Sequence, residues 1–166
     1  MSSSATYKLT VTGARTLVAN FMPAVTVDAL VATGSGTITG AGVYGMGASV
    51  NLAAAPDPGY VFANWMENGT VVSTSATYSL MADADHLLEA NFNLIIPQIS
   101  VAASPPGSLI LEWPANLPGW ILEENLDLTP GNWLDSAWPV TVVNGNNQVQ
   151  VDTTTGGALF MRLRHP

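Results

Sequence analysis

The stretch Gly59-Tyr60-Val61-Phe62-Ala63-Asn64-Trp65 decides the fold of the first part of this 166-residue chain. It follows Pro56-Asp57-Pro58, where each proline fixes its own φ and favours an extended residue before it, so a turn precedes the strand. Tyr60 and Phe62 are two residues apart and therefore share one face of a strand. Trp65 breaks this alternation by one residue, which predicts a bend or a β-bulge that re-aims the indole.

The flanking sequence also has strand periodicity. Val50, Leu52 and Ala54 alternate with more polar residues before the turn, and Leu88 to Phe92 alternate in the same way further along. Asn68-Gly69 is a strong hairpin signal because both residues tolerate positive φ. We therefore predict a small antiparallel sheet that closes on the aromatic side chains of the central stretch.

Five separated elements in this order resemble the internalin-type B-repeat, and together they cover about residues 25–92. They are Gly34-Ser35-Gly36-Thr37-Ile38, Tyr44-Gly45, Val50-Asn51-Leu52-Ala53-Ala54, Gly59-Tyr60-x-Phe62-x-x-Trp65 and Leu88-Glu89-Ala90-Asn91-Phe92. The resemblance implies a β-grasp-like module that is strung in arrays on bacterial surface and secreted proteins. It implies no chemistry, because the signature residues of that family are core and turn residues.

The composition excludes several function classes. Only 10% of the residues are charged, the formal net charge is −8, and there is no cysteine. Nucleic acid is an unsuitable partner because no basic patch could displace counterions from phosphates. Disulfides and thiolate metal sites are excluded, and no apolar run is long enough for membrane insertion. The sequence opens without the pattern of a signal peptide, so an extracellular or cell-surface location is expected from the resemblance alone.

Part of the repeat occurs twice. Residues 4–21 and 75–92 are identical at nine of 18 positions at a constant offset of 71. Residues 81–90 have good helix propensity, but the earlier copy contains Gly13 and many β-branched residues, so we predict a strand, a turn and a strand in both copies. The apolar face of the earlier hairpin is a candidate for self-association with another chain; its members are Tyr7, Leu9, Val11, Leu17 and Phe21.

The chain accordingly divides into three parts: residues 1–22 as the C-terminal hairpin of a truncated preceding repeat, residues 23–95 as a complete repeat, and residues 96–166 as a second module. The second module has short strand candidates at close spacing, at 99–103, 108–113, 119–124, 139–143, 147–152 and 158–164. This pattern predicts a small β-sandwich. Its sequence resembles the fibronectin-III-like modules that end large secreted bacterial proteins. The predicted fold class is therefore all-β.

The acidic residues do not form an obvious catalytic or metal site. Glu123 and Glu124 are adjacent, so a strand places them on opposite faces and they cannot act as an acid/base pair. Asp127 completes the densest cluster, and Asp83 with Asp85 forms the next. We predict that both clusters are solvated surface; weak calcium binding is the alternative, although the spacing of a calcium loop is absent.

The remaining candidates for chemistry are also isolated. His86 is predicted at an exposed turn and His165 in the tail, without visible partners. We therefore predict no enzyme activity, no cofactor and no metal. Among the five tryptophans, Trp65 and Trp113 are predicted core residues, because burial of an indole anchors a small domain. Trp133 and Trp138 lie in a proline-flanked loop and are the candidates for ligand binding.

The sequence thus indicates a non-catalytic extracellular structural and adhesion module, which acts as a spacer and offers a binding surface for another protein or a glycan at a cell surface. Two alternatives remain. The chain could be a carbohydrate-binding appendage of a secreted hydrolase, or a subunit that assembles with itself by pairing strands through residues 4–21.

Overall fold

The computed structural model describes residues 6–154 and 156–166, and within these ranges the regular secondary structure is entirely β. The first module contains β1 (Ala24–Thr33), β2 (Gly36–Thr39), β3 (Gly42–Gly45), β4 (Ala48–Pro56), β5 (Tyr60–Glu67), β6 (Thr70–Ser73), β7 (Thr77–Ala82) and β8 (His86–Leu94). The second contains β9 (Ser100–Ala102), β10 (Ser108–Pro114), β11 (Ile121–Asn125), β12 (Leu134–Asp135), β13 (Thr141–Val143), β14 (Asn146–Asp152) and β15 (Phe160–Arg164). The predicted all-β class is confirmed.

The first module consists of two sheets. One has the strand order β3-β1-β8-β5-β6 and the other the order β2-β4-β7. Strands β1 and β8 are parallel neighbours, whereas the other pairs in these sheets are antiparallel. The prediction of one antiparallel sheet is therefore wrong, because local alternation does not reveal that β1 pairs with a strand more than 50 residues later. Strands β7 and β8 do form, as predicted, although residues 81–90 also have good helix propensity.

The core of the first module is built on the central stretch. Trp65 is completely buried between the sheets, together with Phe92 and Leu88. The pairing of β5 with β8 shifts register between Phe62 and Asn64, which confirms the predicted irregularity. This shift brings Phe62 and Trp65 to the same side, with ring centroids 5.7 Å apart. The bulge therefore turns a break in alternation into a continuous aromatic core.

The Asn68-Gly69 turn signal has the predicted effect, and a second Asn-Gly pair forms the same kind of turn. Asn68 and Gly69 join β5 to β6 with φ angles of 49° and 75°. Asn144 and Gly145 join β13 to β14 with φ angles of 50° and 83°. Gly34 has a φ of 73° and lies against Phe92, whose carbonyl oxygen would collide with any Cβ at that position. A glycine is therefore required there both for backbone conformation and for space.

The second module is a sandwich of a four-stranded sheet, β13-β14-β10-β9, and a three-stranded sheet, β12-β11-β15. Its core contains Leu111, Trp113, Leu122, Val149 and Val151. None of these residues belongs to the core cluster of the first module, and no strand of one module pairs with a strand of the other in the described ranges. Each module therefore has its own core.

The N-terminal segment differs from the prediction. Residues 6–23 contain no strand, and nearly all of them are exposed. The predicted hairpin is therefore not formed in the described part of residues 4–21; residues 4 and 5 lie outside it. The physical reason is that two strands without a covering sheet are marginal in water. In the complete copy, β7 pairs with β4 in one sheet, whereas β8 pairs with β1 and β5 in the other, so each strand depends on partners outside the repeated segment.

The described residues include no helix that is long and apolar enough to cross a membrane.

Candidate functional site

The most concentrated group of charges lies on the outer face of the three-stranded sheet of the second module. Strand pairing places Glu123 opposite Arg162, with Ile121 opposite Arg164. The Arg162 Nε donates to one carboxylate oxygen of Glu123 at 2.7 Å, and the Arg164 Nε donates to the other at 2.5 Å. Both oxygens of Glu123 are thus held by guanidinium groups.

This arrangement corrects the prediction that Glu123 belongs to a solvated surface. The residue is only 4% exposed, because the two arginine side chains cover it. The hydrogen bond from Arg162, joined by the one from Arg164, holds the pKa of Glu123 below its usual value. An ionised carboxylate with both oxygens occupied is a poor proton donor or acceptor for a substrate. The cluster is therefore a structural ion-pair network.

Trp133 contacts an arginine of the same outer face. The guanidinium carbon of Arg162 lies 4.2 Å from the centre of the Trp133 ring, a cation–π contact. Arg164 also pairs with Asp135 at 3.1 Å. Sequence reasoning missed these partners; the alternation of Arg162 and Arg164 on one strand was a signal, but only the register of β11 with β15 connects it to Glu123.

Trp138 has a different environment from Trp133. It is half-buried and packs against the core of the second module. It also lines a cavity of about 530 Å³ with Leu109, Leu111 and Met161. The structure therefore does not bring the two candidate ligand-binding tryptophans into one site: one stacks on an arginine of the outer face, and the other lies against the core.

Glu124 lies on the opposite face of β11 from Glu123, as predicted, and accepts a hydrogen bond from the Ser136 hydroxyl at 3.1 Å. Asp127 accepts a hydrogen bond from the backbone N–H of Thr129 at 2.9 Å, and this bond lowers the pKa of Asp127. These acidic side chains are engaged in separate local contacts. In the described ranges, no group of three or more His, Asp or Glu residues is arranged to hold a metal ion.

The second cluster of titratable groups surrounds His86 in the first module. Its Nδ1 lies 2.7 Å from a Glu67 carboxylate oxygen, and its Nε2 lies 3.2 Å from an oxygen of Asp83. The prediction of an exposed, isolated His86 is wrong, because β5 brings Glu67 beside the start of β8. Nearby, Asp85 accepts a hydrogen bond from the backbone N–H of Thr26 at 2.7 Å. The imidazole therefore connects a turn to the sheet, with both nitrogens occupied.

The hydrogen bond with Glu67, and secondarily the one with Asp83, raises the pKa of His86 above its usual value. The stabilisation from this raised pKa is complete below about pH 6.5, the pKa of an unfolded histidine, and is lost as the pH rises through the higher folded value. We expect the melting temperature of the first module to fall, relative to that of His86→Gln, as the pH rises above about 6.5. Equal pH profiles for the two proteins, measured by circular dichroism, would contradict this.

The predicted self-association residues lie in the N-terminal segment, which does not pair with a sheet in the described residues. Tyr7 is 58% exposed, Val11 75%, Leu17 64% and Phe21 90%, whereas Leu9 is half-buried. Their equivalents in the complete repeat face the core; Leu88 and Phe92, which correspond to Leu17 and Phe21, are buried. The same side-chain types thus have opposite environments in the two copies.

Comparison with known proteins relates the first module to a described family. No curated protein and no solved structure matches the chain. Residues 25–96, which include all of β2 to β8 and nearly all of β1, match the family model described as the divergent InlB B-repeat domain.

Proposed function

We propose that this chain is a non-catalytic structural and adhesion module of a bacterial surface or secreted repeat protein, and that it acts as a spacer and a binding surface. The observation that carries the proposal is the position of the residues that resemble the B-repeat. Trp65, Leu88 and Phe92 are buried in the core. Residues that build a scaffold in this way support a mechanical role rather than a reaction.

The second module supports the same role. We propose that residues 96–166 are a fibronectin-III-like sandwich, because β9, β10, β13 and β14 share one sheet in the order β13-β14-β10-β9. When β12, an added edge strand next to β11, is left out of the count, these are the first, second, fourth and fifth strands, which share one sheet in immunoglobulin-type sandwiches. Sandwiches of this kind present clustered loops to their partners.

The proposed partner is another protein or a glycan at a cell surface, and the proposed location is extracellular. Beads coated with the full chain should bind cells saturably, and soluble chain should compete. Removal of surface glycans by glycosidases separates the two partner classes: binding to a protein persists, whereas binding to a glycan is lost. Absence of specific binding to any cell type would overturn the adhesion role. Turnover of a glycan by the chain would overturn the non-catalytic assignment.

The alternative of a carbohydrate-binding appendage rests on Trp133. Its ring is half-buried and one side is covered by Arg162, so a sugar would have to use the remaining surface. On this alternative, Trp133→Ala loses binding to a glycan array. The control Leu134→Ala removes an adjacent side chain that is 69% exposed and should leave binding unchanged.

A self-assembling subunit is the second candidate function. The observation that favours it is the exposure of Tyr7, Val11, Leu17 and Phe21 in a segment without a strand partner. Exposed alternating apolar side chains on an extended segment are suited to addition to a sheet edge.

A further inference from the structure

One side of the sandwich in the second module is incompletely covered. The four-stranded sheet faces a sheet of only three strands. Because β12 leads to β13 through only five residues, 136–140, these two edge strands lie on the same side of the sandwich. The opposite side therefore has β9 in one sheet and β15 in the other.

Residues that point towards the core are exposed on that side. Val101 pairs with Leu111 across β9 and β10, and cross-strand partners share a face. Leu111 is buried, yet Val101 is 64% exposed. Leu109 pairs with the buried Val151, yet it is 43% exposed. An exposed apolar residue on a core-facing position indicates that a covering strand is absent there.

The backbone on this side is also available. In the described part of the chain, β15 pairs only with β11 and forms an edge of its sheet. Its second edge therefore presents unpaired N–H and C=O groups to a further strand. Its side chains alternate, with Met161 and Leu163 packed against the core and Arg162 on the outer face. A strand added here would continue the core with every second side chain.

The N-terminal segment has the properties of that strand. The segment 7–11 has five residues, the same length as β15, and it contains no proline. Tyr7, Leu9 and Val11 alternate with Lys8 and Thr10, so an extended conformation would place all three apolar side chains on one face. In the structure this segment remains mostly exposed and forms no strand with β15, although it belongs to the same chain.

We propose that residues 7–11 of a second copy add to the free edge of β15 and cover Val101 and Leu109 with Tyr7, Leu9 and Val11. This inference rests on the proposed self-assembly and names its acceptor. Each chain has both donor and acceptor, so copies can exchange their segments in a closed two-fold dimer or link head-to-tail into longer chains of molecules, and both kinds of association depend on concentration.

The first test measures association of the full chain by analytical ultracentrifugation. Leu9→Asp places a charge in the covered core and should weaken association by about tenfold or more. Thr10→Asp, on the outward face of the same segment, should not. On the acceptor, Val101→Asp should weaken association equally, whereas Val142→Asp should not; Val142 is 65% exposed on the opposite edge strand. None of the four positions is fully buried, and near-ultraviolet circular dichroism verifies folding.

The second test uses the absence of cysteine from the chain. Leu9→Cys and Val101→Cys, prepared separately and mixed under oxidising conditions, should give a mixed disulfide; Lys8→Cys should not replace Leu9→Cys. A concentration-independent monomer overturns both self-assembly and this acceptor. Oligomers that are lost in Leu9→Asp but persist in Val101→Asp leave self-assembly standing and overturn the acceptor. A further variant contains both Leu9→Cys and Val101→Cys in one chain. If it forms an internal disulfide and remains monomeric, residues 7–11 occupy the edge of their own chain, and the proposed pairing with a second copy is wrong.

Discussion

Trp65→Ala is expected to remove about 3–5 kcal/mol of the free energy of unfolding of the first module, the usual cost of deleting a fully buried large aromatic side chain. Trp65 is 0% exposed and contacts Phe62. Its Nε1 donates to the Ala76 carbonyl oxygen at 3.3 Å, so both packing and a hydrogen bond are lost. A domain of this size has only about 5–15 kcal/mol of stability. The variant should therefore lose a large part of its stability and unfold at a clearly lower urea concentration.

Urea denaturation followed by circular dichroism measures this cost. The matched control is Val61→Ala on the same strand; Val61 is 49% exposed, and its truncation should change stability by about 0.5 kcal/mol or less. A Trp65→Ala protein with the denaturation midpoint of the unmodified chain would show that Trp65 is a surface residue. The binding role of the first module would then have to be centred on that indole.

Trp113→Ala is expected to cost the second module a similar amount, about 3–5 kcal/mol. Trp113 is 2% exposed and packs with Leu122 and Val149. Unlike Trp65, its buried Nε1 has no hydrogen-bond acceptor among the described residues. A buried donor without a partner is unfavourable. Trp113→Phe should therefore be tolerated better than Trp65→Phe, since it removes that donor.

The same urea measurement compares the two phenylalanine variants with the two alanine variants. The control in the second module is Leu109→Ala, which truncates a partly exposed residue of the same strand and should cost clearly less than Trp113→Ala. If Trp113→Phe were as damaging as Trp113→Ala, the shape of the indole rather than apolar burial would dominate this core.

Local features of the fold could be predicted from the sequence. The Asn-Gly turns, the irregularity before Trp65 and the strands that replace a possible helix at 81–90 depend on neighbouring residues or on the internal repeat. The parallel pairing of β1 with β8 could not be predicted, because it joins residues that are far apart in the chain and leaves no local periodicity. Residues 6–23 show the converse: the alternation that is typical of a strand forms no strand there, because no other strand pairs with it in the described residues.

Prediction of the candidate sites from the sequence was limited in the same way. Residue spacing correctly separated Glu123 from Glu124 on opposite faces of β11. It could not show that two arginines 39 and 41 residues later bury Glu123. His86 likewise acquires its partner Glu67 through strand pairing. Sequence periodicity thus assigns a side chain to a face, whereas its burial and pKa depend on the register between distant strands.

The central claim is that the chain is composed of two separately folded β modules, each built around a buried tryptophan. Differential scanning calorimetry of the full chain, Trp65→Ala and Trp113→Ala tests it most directly. We predict two transitions in the unmodified chain, with Trp65→Ala lowering or abolishing only one and Trp113→Ala only the other. A single transition that both substitutions shift equally would contradict two independent cores, and transitions that neither substitution shifts would contradict the burial of both indoles.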